Sequence, residues 1–371
     1  MEISRRRFCR GLAGAIALTG LYLPGTGMAK GQPLFASAAK DKEGNYHLYL
    51  MGQDGTILLD HPLPERAHQV AAHPVHTLLA CVARRPGTFI DIVDYSSGQL
   101  VERIPAAPGR HFFGHGIFSE DGRYLIVPEN NLADGQGRIV IRDLEQDFTI
   151  IADSPSYGIG PHELKLIPGT HRLMVANGGI LTHPDHGREK LNLDSMQPSL
   201  ATIDLTSGEL VEQQFLPPEL HQLSIRHLDC NHRGETVVAL QYQGGVDQNP
   251  PLVAVHRPGS PLKLIPAPDH INLAMKRYCG SSRFDHSGRF AAISAPRGDL
   301  ITFWDLHNDS FHSAIKSRDG CGVTATSSQA EFLITTGSGH CIRHNLHTGL
   351  SSRLPQAVNP AWDNHLTSVT L

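Results

Sequence analysis

The chain has 371 residues, a formal net charge of −4 and 23 histidines. This small charge, with no Lys- or Arg-rich run after the N-terminal segment, excludes a broadly basic surface of the kind that binds nucleic acid. The 36 glycines and 25 prolines are typical of many short strands joined by turns.

The first predicted element is an export signal over residues 1–29. The segment Ser4-Arg5-Arg6-Arg7-Phe8 precedes a glycine-containing apolar stretch, and small residues follow as far as Ala29. Paired arginines, an apolar stretch and an A-x-A-like end are typical of a twin-arginine signal peptide. The apolar stretch is shorter than about 20 residues, so we expect no stable membrane span. The sequence therefore predicts a periplasmic protein whose residues 30–371 form one domain.

Five cysteines follow the predicted cleavage site. An odd number in an oxidising compartment leaves at least one thiol free or bound to metal. The sequence does not determine whether Cys81, Cys230 and Cys341 pair with one another.

A unit of four short strands recurs at intervals of about 40–50 residues, which is typical of β-propeller blades. Its clearest copy begins at His115, turns at Asp121-Gly122 and ends near Ile151. The other copies begin at or near His68, His162, His227, Ser281 and Val323.

The two ends of the chain complete the count of blades. Residues 365–371 resemble an inner strand with no blade after it, whereas residues 33–39, 46–51 and 57–61 resemble outer strands with no inner strand before them. Pairing the two ends removes a free sheet edge. The sequence therefore predicts an all-β, seven-bladed β-propeller whose seventh blade is closed by N- and C-terminal strands, rather than an open array of β-sandwiches.

A histidine begins the inner strand in five of the predicted blades. Because inner strands line the central channel of a propeller, we expect these side chains to converge on one mouth of the channel. The histidines are His68, His115, His162, His227 and His365.

Blades five and six have Ser281 and Val323 at this position, and Cys279 and Cys321 precede them by two residues, on the same face of a regular strand. Imidazole and thiolate are ligands that suit Fe, Cu and Zn. We therefore predict a transition-metal site, for iron or copper, made of the five histidines and these two thiols. Such a site requires side chains from opposite blades to come close together, because ligand atoms lie about 2.0–2.3 Å from a shared ion. The alternative is that the histidines were inherited through duplication of the blade and form hydrogen bonds only with water and loop carbonyls.

Polar side chains at the ends of the second strands and in a long insertion, residues 181–198, are predicted to lie at the same mouth. They are candidates for orienting the imidazoles or for binding a polar ligand or cofactor. The strand-end candidates are Arg84, Glu129, Asn130, Asn177 and Gln241, and those of the insertion are His183, Asp185, His186 and Arg188.

Several segments are similar to a family of exported propellers of unknown function. The similarity is carried by Gly158–Leu164, Ala176–Ile180, Thr182–Asp185, Gly187-Arg188, Lys190–Asp194, Ser224–Leu228 and Cys279-Gly280. Members are often encoded beside imelysin-type iron-uptake proteins and a di-haem thiol-oxidoreductase-like protein. The resemblance implies a periplasmic location, a part in iron or other metal acquisition, and partners among those uptake proteins. It also places His162, His183, Asp185, Arg188, Asn192, Asp194 and His227 in characteristic segments.

Three functions are open at this point. The first is a non-enzymatic propeller that binds a transition metal or a metal-bearing partner. The second is an enzyme of the lactonase or quinoprotein-dehydrogenase kind, with histidine and Glu129 as acid and base, although inner strands with few carboxylates disfavour a calcium-dependent lactonase. The third is a non-catalytic docking platform for uptake proteins, in which the histidines are inherited structure.

Overall fold

The computed structural model describes residues 33–187 and 189–369. These residues form seven small antiparallel sheets arranged as a seven-bladed β-propeller, which confirms the predicted fold class. The predicted signal peptide lies outside the described residues. Among the residues that are described, no helix has the length and apolar character needed to cross a membrane.

The strands follow one another from the inside of each blade to its outside. The chain begins with three outer strands of blade seven, β1 (Leu34–Lys40), β2 (Tyr46–Gly52) and β3 (Ile57–Leu63). Blade one contains β4 (Ala67–Ala72), β5 (Leu78–Ala83), β6 (Phe89–Asp94) and β7 (Gln99–Pro105). Blade two contains β8 (Arg110–Phe112), β9 (Ile117–Phe118), β10 (Tyr124–Asn131), β11 (Gly137–Asp143) and β12 (Thr149–Pro155). Blade three contains β13 (Pro161–Leu166), β14 (Arg172–Asn177), β15 (Ser199–Asp204) and β16 (Leu210–Phe215).

The second half of the chain repeats this order. Blade four contains β17 (Leu223–Cys230), β18 (Thr236–Tyr242), β19 (Val253–His256) and β20 (Lys263–Ile265). A short helix, α1 (Asp269–Ala274), leads to blade five. Blade five contains β21 (Ser281–Phe284), β22 (Phe290–Ala295), β23 (Leu300–Asp305) and β24 (Ser310–Lys316). Blade six contains β25 (Gly320–Ala325), β26 (Glu331–Thr336), β27 (Cys341–Asn345) and β28 (Ser351–Arg353). The chain ends with β29 (Ala361–Trp362) and β30 (Thr367–Val369).

Burial decreases from the middle of each blade to its outer edge. In blade one, β5 is almost entirely buried, whereas the outermost strand β7 is exposed except at Ile104. The middle strands are continuous apolar runs because neighbouring blades cover both of their faces. The predicted Asp121-Gly122 turn is present, and Gly122 has a φ of +77°. A Cβ there would lie 2.2 Å from the ring of His73, so this turn requires glycine.

The two chain termini close blade seven as predicted. Strand β29 pairs with β1 through Ala39 and Trp362, and β30 pairs with it through Leu34 and Val369. Leu366, between these short strands, is fully buried in an apolar cluster with Trp362. The C-terminal segment is therefore part of the core rather than a tail.

The inner strands differ from the regular strands that the sequence predicts. Strand β4 has a bulge at His68, β13 at His162-Glu163 and β17 at Arg226. In blades two and seven the inner strand is interrupted, and His115 and His365 lie in the gaps. A bulge leaves an extra residue outside the ladder and changes the direction of its side chain. The histidines therefore lie within the irregular parts of the inner strands, not at the first residue of regular ones.

We predict that Leu366→Ala lowers the free energy of unfolding by about 2–5 kcal/mol, because it leaves a cavity where blade seven closes. Leu350→Ala is the matched control, since Leu350 is 71 % exposed, and we expect a change within about 0.5 kcal/mol. Denaturant unfolding followed by fluorescence measures both. Equal effects of the two substitutions would contradict closure by the C-terminal segment.

Candidate metal centre

The five predicted histidines meet at the centre of the propeller. The ring centroids of His68 and His365 are 4.5 Å apart, and those of His162 and His227 are 4.6 Å apart. Even His68 and His227, from blades one and four, have centroids separated by 6.4 Å. All five side chains are at most 6 % exposed. Opposite blades are therefore close enough for their imidazoles to share one ligand.

Three of the rings are oriented by hydrogen bonds from Nδ1. His68 Nδ1–H donates to Asp363 Oδ1 (2.8 Å). His115 Nδ1–H donates to Gln69 Oε1 (2.9 Å), and His227 Nδ1–H donates to Glu163 Oε2 (3.1 Å). In a neutral imidazole the other nitrogen, Nε2, then carries the lone pair that binds a metal. These contacts fix the tautomer that a metal ligand needs.

The two orienting carboxylates are themselves held by arginines. Arg283 Nη1 donates to Glu163 Oε1 (2.9 Å), and Arg66 Nε donates to Asp363 Oδ2 (2.6 Å). Glu163, His227 and Arg283 come from blades three, four and five, so this group joins three blades at the axis. Each carboxylate charge is balanced by a guanidinium, which offsets the cost of burying it.

Several imidazole nitrogens of the cluster have no hydrogen-bond partner among the described residues. They are His115 Nε2, His162 Nδ1 and both ring nitrogens of His365. Buried polar atoms in proteins are nearly always paired, and each unpaired one costs about 1–3 kcal/mol. A bound metal ion would satisfy such nitrogens, so the cluster has the properties of a ligand set.

The histidines of the cluster are held neutral. Burial lowers the pKa of His68 to about 4, although Asp363 favours the charged ring. Burial, with the positive groups nearby, also lowers the pKa of His162 and His365 well below the usual range. Metals bind the neutral ring, so no proton has to be displaced at neutral pH.

The carboxylates of the cluster are held ionised. Burial alone would raise the pKa of Glu163, but Arg283 and the neighbouring histidines hold it well below the usual range. Burial acts in the same direction on Asp363, whose pKa the His68 hydrogen bond and Arg66 keep far below that of an ordinary aspartate. Both groups can therefore only accept hydrogen bonds.

The ligand atoms form two overlapping groups within which all separations are at most 4.8 Å. One consists of His115, Glu163, His227 and His365, and the other of His68, His115 and His162. Nitrogen ligands on opposite sides of one ion are about 4.2 Å apart, since each bond is about 2.0–2.1 Å. The separations within each group are thus close to the distance that one shared ion requires. His115, whose Nε2 has no hydrogen-bond partner among the described residues, is common to both groups.

The structure does not bring the two predicted thiols to this site. Cys279 and Cys321 pack in apolar clusters between blades, and neither belongs to the groups of close ligand atoms found among the described residues. Burial raises the pKa of Cys279 to about 12 and raises that of Cys321 as well. The expectation assumed a regular strand, but Cys279 precedes the start of β21 and Cys321 lies in a bulge. Cys81, Cys230 and Cys341 are also free thiols.

Three of the predicted strand-end residues have structural partners instead. Glu129 accepts hydrogen bonds from Arg142 (3.1 Å) and Arg110 (3.5 Å) within blade two. Asn130 donates to the ring of His111. Asn177 donates to Ser156 O (2.8 Å), in the connection between blades two and three. These contacts hold the ends of the second strands, and Glu129 belongs to neither group of close ligand atoms found among the described residues.

Two of the other strand-end candidates lie at the mouth of the channel. Gln241 and Arg84 line a pocket that opens on His68, His162 and His227.

In the insertion, His183 is half-buried, Asp185 and His186 are exposed, and Arg188 lies outside the described residues. Asn192 ties the insertion down by accepting from Leu181 N (2.7 Å) and donating to Gly179 O (2.9 Å).

Sequence reasoning missed the residues that orient the cluster. Gln69 follows His68, Glu163 follows His162, and Asp363 precedes His365 by two residues. Period-two alternation places the residue next to a channel-facing histidine on the opposite face of a strand. The bulge at His162-Glu163 sets both residues opposite one residue of β14 and allows both to face the axis. The polar character of these neighbours, in otherwise apolar strands, was the only available signal.

A family model supports the predicted resemblance. The family is described as "Protein of unknown function (DUF1513)", and its model matches residues 61–369. The chain belongs to this family. The expected neighbourhood of iron-uptake genes stays a prediction. A comparison with curated protein sequences finds no match.

Solved structures share the fold. A chain of Kuenenia stuttgartiensis hydrazine synthase is 15 % identical, with a TM-score of 0.60, over 91 % of this chain and 99 % of that one. A chain from a structure of the mitotic checkpoint complex is 11 % identical, with a TM-score of 0.59, over 82 % of this chain and 87 % of that one. At these identities the likeness concerns the fold alone.

We predict that the metal-free protein loses stability as the pH falls from about 6.5, the ordinary pKa of histidine, towards about 4, the pKa of buried His68. The unfolded chain binds protons in this range that the buried rings do not, so the folded state is disfavoured. Glu163 and Asp363, whose pKa values are lowered, add a further loss at lower pH. Urea unfolding at a series of pH values measures the slope of the unfolding free energy against pH.

In His115→Gln/His365→Gln we expect this slope to decrease by roughly 1 kcal/mol per pH unit for each histidine replaced. The control His232→Gln/His307→Gln changes two exposed histidines and should leave the slope unchanged. A slope that responds equally to both pairs of substitutions would refute the assignment of neutral, buried rings.

Proposed function

We propose that this protein is a periplasmic propeller that binds a transition metal through its central histidine cluster. The observation that carries the proposal is the convergence of five buried, neutral imidazoles on one point, with unpaired nitrogens on three of them. Unpaired ring nitrogens also occur on His61 and His256, outside the cluster, so it is the convergence of five buried rings on one axis that points to a shared ligand.

The donor set indicates the class of metal. Imidazole nitrogens suit Fe, Cu, Zn and Ni, whereas Ca²⁺ and Mg²⁺ prefer oxygen ligands. Glu163 belongs to the larger group of close ligand atoms, but both of its oxygens already accept hydrogen bonds, so we assign it to positioning His227. Iron or copper fits this nitrogen-rich site, and no thiolate is required.

The cellular role is part of the same proposal. Export by the twin-arginine route would deliver a folded, metal-loaded propeller to the periplasm. The resemblance to propellers encoded beside imelysin-type uptake proteins supports a part in iron or other metal acquisition with such partners.

We predict that protein purified from the periplasm contains close to one equivalent of iron or copper, or takes it up after reconstitution. His115→Ala/His365→Ala should abolish this binding, because both residues belong to the larger ligand group. The control His73→Ala/His344→Ala removes two equally buried histidines that lie outside the groups of close ligand atoms, and should retain the metal. Elemental analysis and titration with Fe²⁺, Cu²⁺ and Zn²⁺ measure the stoichiometry. Failure of the unsubstituted protein to bind any of these ions would overturn the proposal.

We predict that Arg5→Lys/Arg6→Lys, which removes the arginine pair, keeps the protein in the cytoplasm. Arg10→Lys, outside the pair, should be exported normally. Cell fractionation followed by immunoblotting measures the distribution. Unchanged export of the first variant would remove the twin-arginine assignment without affecting the metal site.

A further inference from the structure

A strongly cationic pocket lies directly above the histidine cluster. Its volume is about 60 Å³, and its wall includes His68, His162 and His227. Arg84, Arg85 and Arg226 contribute to the same wall. The arginines therefore share one space with three of the candidate metal ligands.

Arg226 reaches this wall through the bulge of β17. Ile225 and His227 pair with consecutive residues of β18, which leaves Arg226 as the extra residue. Its Nε is buried and has no hydrogen-bond partner among the described residues. Burial, together with the nearby Arg85 and Arg84, lowers the pKa of Arg226 to about 9. The guanidinium is still charged at neutral pH and lies among other positive charges.

Further cations surround the opening. Burial and the positive charges of Arg297, Arg226 and Arg85 lower the pKa of Lys190. The Arg297 guanidinium lies 4.2 Å from the ring centroid of Tyr278, which also lines the pocket. The chain as a whole has a net charge of −4, whereas the groups around the opening of this pocket are positively charged.

The described lining of the pocket contains no carboxylate. Asp363 is close enough to Arg84 for the arginine to lower its pKa, but it already accepts from His68 and Arg66. Glu163 is similarly occupied by His227 and Arg283. Both carboxylates thus orient histidines, and neither is among the residues that line the pocket.

We infer that this pocket is a binding site for a small oxyanion of the carboxylate class, held by Arg84, Arg85 and Arg226. Guanidinium groups match carboxylates because their N–H groups form paired, charge-assisted hydrogen bonds. Gln241 and Tyr278, which also line the pocket, add polar groups that suit such a ligand.

The position of the pocket gives the anion a second role. An anion held by the arginines lies beside His68, His162 and His227 and would offset the charge of a metal dication bound among them. Metal and anion should then bind with positive coupling. This coupling rests on the proposed metal function, whereas the anion site itself does not.

The test is calorimetric titration of the metal-free, full-length mature protein with oxalate, and separately with phosphate. We expect oxalate to bind. Arg85→Gln/Arg226→Gln should weaken this binding at least about tenfold, a change that corresponds to the loss of one charge-assisted hydrogen bond. Arg318→Gln/Arg353→Gln makes the same change of net charge at exposed positions and should bind oxalate normally.

Absence of oxalate binding to the unsubstituted protein, or equal loss in both double variants, would overturn the inference. Phosphate binding that is tighter than oxalate binding would overturn the carboxylate assignment. His115→Ala/His365→Ala should still bind oxalate, so that failure of the metal site and failure of the anion site can be distinguished. For the unsubstituted protein, oxalate should increase the affinity for Fe²⁺ or Cu²⁺ when the affinity is referred to the concentration of free ion, since oxalate itself chelates both ions.

Discussion

The centre of this propeller depends on irregular inner strands. A regular strand presents every second side chain to the channel, and seven such strands would line it with isolated residues. Bulges at His68, His162-Glu163 and Arg226 remove this restriction, and interruptions do so at His115 and His365. Neighbouring residues of one strand can then both face the axis. Three of the five imidazoles, those of His68, His115 and His227, thereby gain a hydrogen-bonding group from an adjacent blade.

The electrostatics of the axis follow from this arrangement. Glu163 and Asp363 are ionised, paired with arginines and directed at the Nδ1 atoms of two histidines. The rings are neutral because burial lowers their pKa values. Neutral nitrogen donors and guanidinium groups thus line one pocket at the axis. The proposed cation site uses the nitrogens and the proposed anion site uses the guanidinium groups, which links the two.

Much of the fold could be predicted because a repeat is a property of the chain itself. Turn residues such as Asp121-Gly122, and apolar runs between them, recur wherever a blade does. The closure of blade seven was predictable for the same reason, since each end of the chain lacked what the other supplied. The convergence of the histidines was also foreseen, because residues at equivalent positions of a closed ring must approach one axis.

The sequence by itself determined the seven-bladed architecture, its closure by the termini and the convergence of five histidines on the channel axis. Only the tertiary structure decided which neighbours reach the axis. Cys279 and Cys321 satisfy the period-two rule but pack between blades, whereas Glu163 and Arg226 violate the rule and lie at the centre. The physical reason is that local spacing defines the face of a residue only while the strand is regular. Where the inner strands bulge, packing between blades sets the direction of each side chain.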